Sequence, residues 1–288
     1  MINNEKPTRA FCLLGKANNL MDDMSQIKDG NGVQFVGSKE RAEYVRKYYE
    51  GLYKRKVDNL MRIEDFLSED INNNELIEGN KLNEAEQATL EGEVTLEEMS
   101  EVLKSSNMHS SSGWDGISYW VIMKFFMGLG PLIVKLANEG FANGELTSTF
   151  RTRLIKLIPK KGNAVKVGDW RPITLLCCGY KLISGIVAKR MEKYMQKIIG
   201  RSQNGFQRVK NMSSCTLNIM DRISGAWESA EEMGVLCIDF VKAFDSIEHV
   251  FIERVMRFFN YGNRFVRMVM TLLYGRTARV MVEGGGGD

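Results

Sequence analysis

Between residues 234 and 250 the sequence reads GVLCIDFVKAFDSIEHV, an apolar run that ends on one carboxylate, Asp239, and reaches a second, Asp245, six residues later. Val235, Leu236, Cys237 and Ile238 predict a short strand buried on both faces, because a brief apolar run between a glycine and a polar break lacks the 3.6-residue period of a helix. A carboxylate at the end of such a strand is costly to desolvate unless something compensates its charge. Capping the next helix is one role open to Asp239 on these residues alone.

Other chemistries are harder to place in this chain. The cysteines, Cys12, Cys177, Cys178, Cys215 and Cys237, form no CxxC pair, and His109 and His249 are the two histidines, so zinc and disulfide frameworks lack ligand spacing. The cysteines read as reduced core residues. There is no GxGxxG or GxxxxGK[ST] phosphate loop and no internal repeat. Charge is more informative, because a net +3 conceals strong segregation. Residues 63–101 hold thirteen acids against the single base Lys81, and residues 151–210 hold fifteen bases against Asp169 and Glu192. A block that basic repels itself unless a polyanion or the acidic block neutralises part of it, which makes nucleic acid the first partner to consider and a solvated face the alternative.

The elements that must position these residues are legible in outline. With 288 residues and 44% apolar content the chain can bury the core of one large domain or two smaller ones. No apolar stretch is long enough for a membrane span and no signal peptide is visible, so an intracellular setting is expected. Ala42, Val45, Tyr49 and Leu52 share one face of a helix over 39–54, with Ser38 as its N-cap. The next 40 residues, acidic and Asn-rich, read as a loose connector. Thr95 with Glu98 forms a capping box ahead of the stripe Leu96, Met99, Leu103. Residues 119–144 read as two helices broken at 128–131. RLIKLIP at 153–159 and WRPITLLCC at 170–178 predict an antiparallel pair with a basic tip. A long helix over 178–199 then buries Ile183, Val187, Met191, Tyr194 and Ile198, with Lys181, Lys189, Lys193 and Lys197 in a row on another face. Helices are expected near 214–230, 248–259 and 263–274, and a last strand at 278–284. The GGGG run that follows is permissive backbone, and the ending reads as unfinished.

Four stretches stand in order: LIKLIPKKG (154–162), WRPITLLCCGYKLISGIVAKRM (170–191), SQNGFQ (202–207) and IDFVKAFDSIEH (238–249). At these separations they closely resemble the fingers and first palm motif of reverse transcriptases, specifically those of LINE-type non-LTR retrotransposons. EKPTRAFCLLGK (5–16), DGNG (29–32) and SSGWDGIS (111–118) look like the segment that joins such an element's endonuclease to its polymerase, so the resemblance covers nearly the whole chain. Trp114 stands where the family usually has proline.

The resemblance implies an α+β fold, with a helical and acidic linker region over 1–110 and reverse-transcriptase fingers with a partial palm over 111–288. It makes Asp239 the catalytic metal ligand and the carbonyl of Phe240 a further one, for Mg2+ or Mn2+ expected only with the complete palm. Phe244 matches the aromatic gate against a ribose 2′-hydroxyl. Lys160 and Arg171 match the holders of the incoming triphosphate, with Lys161 and Lys156 as neighbours, and Gln203, Gly205 and Phe206 match the template-side motif. Asp245 stays open between a local cap and a catalytic role. The second palm motif and the [FY]xDD hairpin are missing, and LMDDM at 20–24 lies upstream of every other motif and does not replace them, so this chain is expected not to polymerise unaided. The intact enzyme would be an RNA-directed DNA polymerase, a nucleotidyltransferase acting with an RNA template, a DNA primer and deoxynucleoside triphosphates in the cytoplasm and nucleus. The alternatives are a non-catalytic RNA-binding remnant of a fingers domain and an acidic-to-basic interaction protein without nucleic acid.

Overall fold

The structure, a computed structural model, describes residues 24–35, 37–54, 80–160, 164–200, 203–206, 210–229, 232–240, 243–245 and 247–281. In chain order these carry α1 (Ser38–Tyr53), α2 (Glu84–Leu90), α3 (Leu96–Ser105), α4 (Tyr119–Lys124), α5 (Phe126–Asn143), α6 (Ser148–Arg151), β1 (Thr152–Pro159), β2 (Trp170–Leu175), α7 (Cys178–Ile198), α8 (Met212–Glu228), α9 (His249–Phe258), α10 (Asn263–Leu273) and β3 (Thr277–Met281). The result is a helix-rich chain with one small mixed sheet. It divides into two compact units, the first of Met1–Asp58, Glu93–Val187 and Arg267–Asp288, the second of Asn59–Gly92 and Ala188–Val266. The linker stretch 5–16, residues 20–23 of LMDDM, most of the acidic connector and Lys161 lie outside the described residues.

In the first unit the sheet has the order β2-β1-β3, with β1 antiparallel to β2 and parallel to β3. The expected hairpin is therefore present, pairing Leu154 with Leu175 through to Pro159 with Trp170. Alternation along β1 sends Ile155 and Leu157 into a core with Val45 and Tyr49 of α1, Met24, Ile27, Val167 and Trp170. The indole of Trp170 donates to the carbonyl of Ala164 at 3.0 Å, so the return of the hairpin is tied to its own strand. The DGNG turn forms as read: Asp29 Oδ1 accepts from the backbone N–H of Asn31 and Val33, and Gly32 takes the left-handed φ of 84° that glycine permits. Lys28 N–H donates to Val165, which docks this turn on the hairpin's return loop.

The remaining helices of this unit pack through small residues. A Cβ on Gly113 would lie 2.4 Å from the backbone nitrogen of Cys177, so the SSGWDGIS turn meets the end of β2 backbone to backbone. Trp114 holds that turn by donating its indole N–H to Thr149. Gly130 lies under Leu96, which lets α5 approach α3, and Asn138 exchanges hydrogen bonds with both backbone groups of Val94. The break expected at 128–131 lies earlier, at Phe125 between α4 and α5, and Pro131 stands inside α5. Pro131 is the sixth residue of α5 and has no N–H to give the carbonyl of Met127, so the ladder lacks that bond. Thr95 and Glu98 form the predicted capping box, whereas Ser38 is already helical and Gly37 is the N-cap of α1.

The second unit contains a helix, α2, within the stretch expected to be a loose connector. Asn83 and Glu86 make a reciprocal capping box that starts α2, and Leu82 and Leu90 are fully buried. The guanidinium of Arg190 on α7 is itself buried and donates to the carbonyls of Leu90 and Gly92, satisfying the last turn of α2. Glu91 accepts from the backbone N–H of Arg264 and occupies the space a side chain on Gly262 would need. Tyr261 stacks on Phe265 with centroids 5.7 Å apart, and both are buried.

The buried strand expected at 235–238 does not form, whereas the helix expected near 214–230 is present as α8. Residues 232–240 form no strand and all are exposed, and α8, although regular, buries none of its residues. A strand needs a hydrogen-bonding neighbour to bury its backbone, and no described segment pairs with 235–238. Cys237 is accordingly exposed rather than a core residue, while Cys177 and Cys178 are buried as expected.

Candidate nucleic-acid interface

Strand register gathers three of the predicted phosphate-binding residues. Ile158 stands opposite Arg171 and Lys156 opposite Ile173, so Lys156, Lys160 and Arg171 share the face of the hairpin that points away from the core. Lys160 and Arg171 are both exposed. Lys160 is also oriented: its ammonium donates to the carbonyl of Gly168 at 2.9 Å, and its backbone N–H to that of Asp169. An exposed Lys point charge beside an exposed Arg fork at the end of a hairpin suits a phosphate chain.

The lysine row expected on α7 is largely engaged within the protein. Lys181 donates to the carbonyl of Ser111 at 2.7 Å and lies over the ring of Tyr119. Lys197 pairs with Glu86 at 2.9 Å, and that hydrogen bond holds the Glu86 carboxyl below its ordinary pKa. Lys193 is exposed. Helical spacing alone did not distinguish a solvated row from one that reaches neighbouring loops.

In the second unit the SQNGFQ and AFD stretches meet. The rings of Phe206 and Phe244 pack edge to face with centroids 5.5 Å apart, although both side chains remain mostly exposed. Gln203 donates to the carbonyl of Gly205, and Lys210 reaches back to the carbonyls of Gly200 and Gln203, so this loop is folded on itself. Phe206 has φ of 59°, a conformation costly for a large side chain. Asp239 and Phe240 lie on the exposed 232–240 segment, and Asp245 occupies a turn with Phe244.

The carboxylate of Asp239 and the carbonyl of Phe240 are hard oxygen donors of the type Mg2+ takes. Among the described residues, however, no three His, Cys, Asp or Glu side chains converge on one point. Mg2+ keeps several of its waters and commonly takes only one or two carboxylates beside substrate phosphates, so these two donors fit part of such a site and no catalytic step is derived from them. The buried thiols are not nucleophiles either: burial, reinforced by Asp115, pushes the Cys177 pKa up to about 11.

Lys160, β2 and the QNGF loop lie within a region shared with a known family, whereas most of β1 precedes it. Residues 158–285 match the family described as reverse transcriptase (RNA-dependent DNA polymerase). An uncharacterized 149 kDa protein of transposon TX1 from Xenopus laevis is 27% identical over 191 residues, 66% of this chain and 15% of that protein. The retrovirus-related Pol polyprotein from the type-1 retrotransposable element R2 of Popillia japonica is 29% identical over 114 residues, 40% of this chain and 16% of the relative. The chain is thus reverse-transcriptase-like and related to retrotransposon proteins. It spans less than a fifth of the length of the curated relatives it matches.

Proposed function

We propose that this chain carries the fingers and the first part of the palm of a LINE-type non-LTR reverse transcriptase, and that the longer protein synthesises DNA on an RNA template inside the cell. The single observation that carries the reading is that the family match takes in Lys160 and Arg171, which the hairpin's register sets on one face. In this reading Lys160 and Arg171 hold the triphosphate of the incoming deoxynucleotide. Asp239 and the carbonyl of Phe240 would help to hold Mg2+, whose chemistry would be to stabilise the attacking and leaving oxygens. Phe244 excludes the 2′-hydroxyl, and Phe206, packed against it, belongs to the template side together with Gln203 and Gly205. The cost of a large residue at positive φ favours a functional placement for Phe206.

The second reading, an RNA-binding fingers domain without chemistry, is favoured by one observation: Asp239 and the whole 232–240 segment stand exposed and unpaired by any described strand. One experiment separates the two. In a chain extended through the rest of the palm, Asp239→Asn is expected to abolish primer extension on RNA while RNA affinity changes less than about threefold, since one metal ligand is lost but no phosphate contact. Phe244→Ala is expected to admit ribonucleotides in the same assay. Extension that survives Asp239→Asn removes Asp239 from the metal site, and an extended wild-type chain that binds RNA without synthesis supports the non-catalytic reading.

A further inference from the structure

At the opposite end of β1 from Lys160, two arginines lie over one buried ring and a third stands beside them. Tyr180 of α7 is 6% exposed, and its hydroxyl donates to the carbonyl of Leu272 at 3.1 Å. Arg276 lies over the ring with its guanidinium carbon 4.8 Å from the centroid and donates to the same hydroxyl at 2.6 Å. Arg153 lies 5.8 Å from that centroid. Arg151 completes the group: its side chain comes within 3.7 Å of the space beside Gly275, the residue preceding Arg276. The parallel pairing of Thr152 with Thr277 and Arg153 with Ala278 explains the convergence, because it sets the start of β1 beside the start of β3.

This positive charge is under-compensated. Arg151 pairs with Glu145 at 2.5 Å, but among the described residues neither Arg153 nor Arg276 has a carboxylate within ion-pair distance. Three of their donors, Nε of Arg151, Nε of Arg153 and Nη2 of Arg276, are buried without any acceptor. Desolvation lowers the Arg153 pKa, as expected of a half-buried cation lacking a counter-charge. Native structures rarely leave several charged donors unsatisfied in one place, and such a cluster indicates a missing acceptor. Tyr274, Gly275 and Thr277 are exposed on either side of Arg276, which gives a ligand an approach from solvent.

We propose that Arg153 and Arg276, seated on Tyr180, form a phosphate-binding site together with the neighbouring Arg151. A tetrahedral phosphate presents enough oxygens to accept from three guanidinium forks, whereas a single carboxylate satisfies one. The site is separate from the triphosphate position proposed for Lys160 and Arg171: the eight residues of β1 between the two span about 25 Å at roughly 3.3 Å each. It does not depend on the polymerase reading, because the unsatisfied donors exist whatever the chain catalyses. A nucleic-acid backbone and a free nucleotide present the same chemistry.

The test uses the whole chain with its arginine Nε labelled with 15N. Inorganic phosphate is titrated against chloride at constant ionic strength, and the resonances are assigned by their loss in single variants. The Nε–H signals of Arg151 and Arg153 are expected to move saturably, and the melting temperature to rise in phosphate but not in chloride. Arg276→Gln and Arg153→Gln are each expected to weaken binding about tenfold or more, the effect of losing a charge-assisted hydrogen bond, while Lys124→Gln on α4 leaves it unchanged. The wild-type titration stands even if a variant folds poorly. Signals that do not move with phosphate, or binding that persists in the Arg153→Gln, Arg276→Gln double variant, overturn the proposal. A second pair of titrations assigns the source. Shifts caused by an oligoribonucleotide without terminal phosphates indicate a backbone phosphate, and shifts caused only by a nucleoside 5′-monophosphate indicate a free nucleotide.

Discussion

Tyr119, Tyr180 and Tyr261 are all buried, and burial raises each phenol pKa from the usual 10 to about 12. For Tyr180 the nearby Arg153 opposes that rise without cancelling it. The folded state therefore favours the protonated phenol. Its stabilising contribution is fully present below pH about 10, where the unfolded phenol titrates, and is lost as pH rises through about 12. An absorbance titration of the nine tyrosines should show an early fraction ionising near pH 10 and a late fraction appearing together with loss of helical circular dichroism. Smooth ionisation of all nine before any unfolding would mean these three rings are accessible. At this scale the sequence showed part of the chemistry. Lys160 and Arg171 stood out because their stretches resemble a family, whereas the arginine group around Tyr180 did not, since its members meet only through the pairing of β1 with β3, more than a hundred residues apart. Burial of Arg190 was equally invisible: its acceptors are the carbonyls of a helix that had been read as connector.

Elements with strong local signals were legible, and those that depend on a partner were not. The hairpin, the Thr95 capping box and α7 follow from alternation, capping chemistry and 3.6-residue periodicity within their own residues. Helix α2 was missed although Asn83 and Glu86 carry the same capping signature as Thr95 and Glu98, because the acidic composition around them outweighed it. The segment 235–238 was read as a buried strand, but burial belongs to a pair of strands rather than to one. Glycines make a sharper test at this scale, because two of them in one turn are needed for different reasons. Gly113 is required by space, as its Cβ would meet the backbone of Cys177 at 2.4 Å, whereas Gly116 has open space and a φ of 70°. Gly113→Ala must displace backbone and is expected to cost about 3 kcal/mol or more, while Gly116→Ala should cost about 1 kcal/mol, the price of the left-handed conformation. Urea unfolding of the two variants measures the difference. Equal costs would show that the turn does not pack against Cys177 as described.

Across the whole molecule the charge pattern is where sequence and structure diverge most usefully. Fifteen basic residues in 151–210 suggest a large electrostatic footprint, but several of these charges are committed internally. Arg190 caps α2, Lys197 pairs with Glu86, Lys181 binds Ser111 and Arg151 pairs with Glu145. The link between Glu86 and Lys197 also shows the acidic block neutralising part of the basic one. A nucleic-acid partner, as proposed above, would meet a smaller set of exposed cations, among them Lys160, Arg171 and Lys193. Each phosphate neutralised on a single strand contributes about −0.7 to the slope of log affinity against log salt. About six contacts predict a slope near −4 and a loss on the order of several hundredfold between about 50 and about 200 mM salt, rather than the far steeper fall that fifteen contacts would give. Fluorescence anisotropy of a labelled single-stranded RNA across that range measures the slope. A value near −10 would mean that the internal pairs open on binding, and a slope near zero would remove nucleic acid as the partner of this basic block.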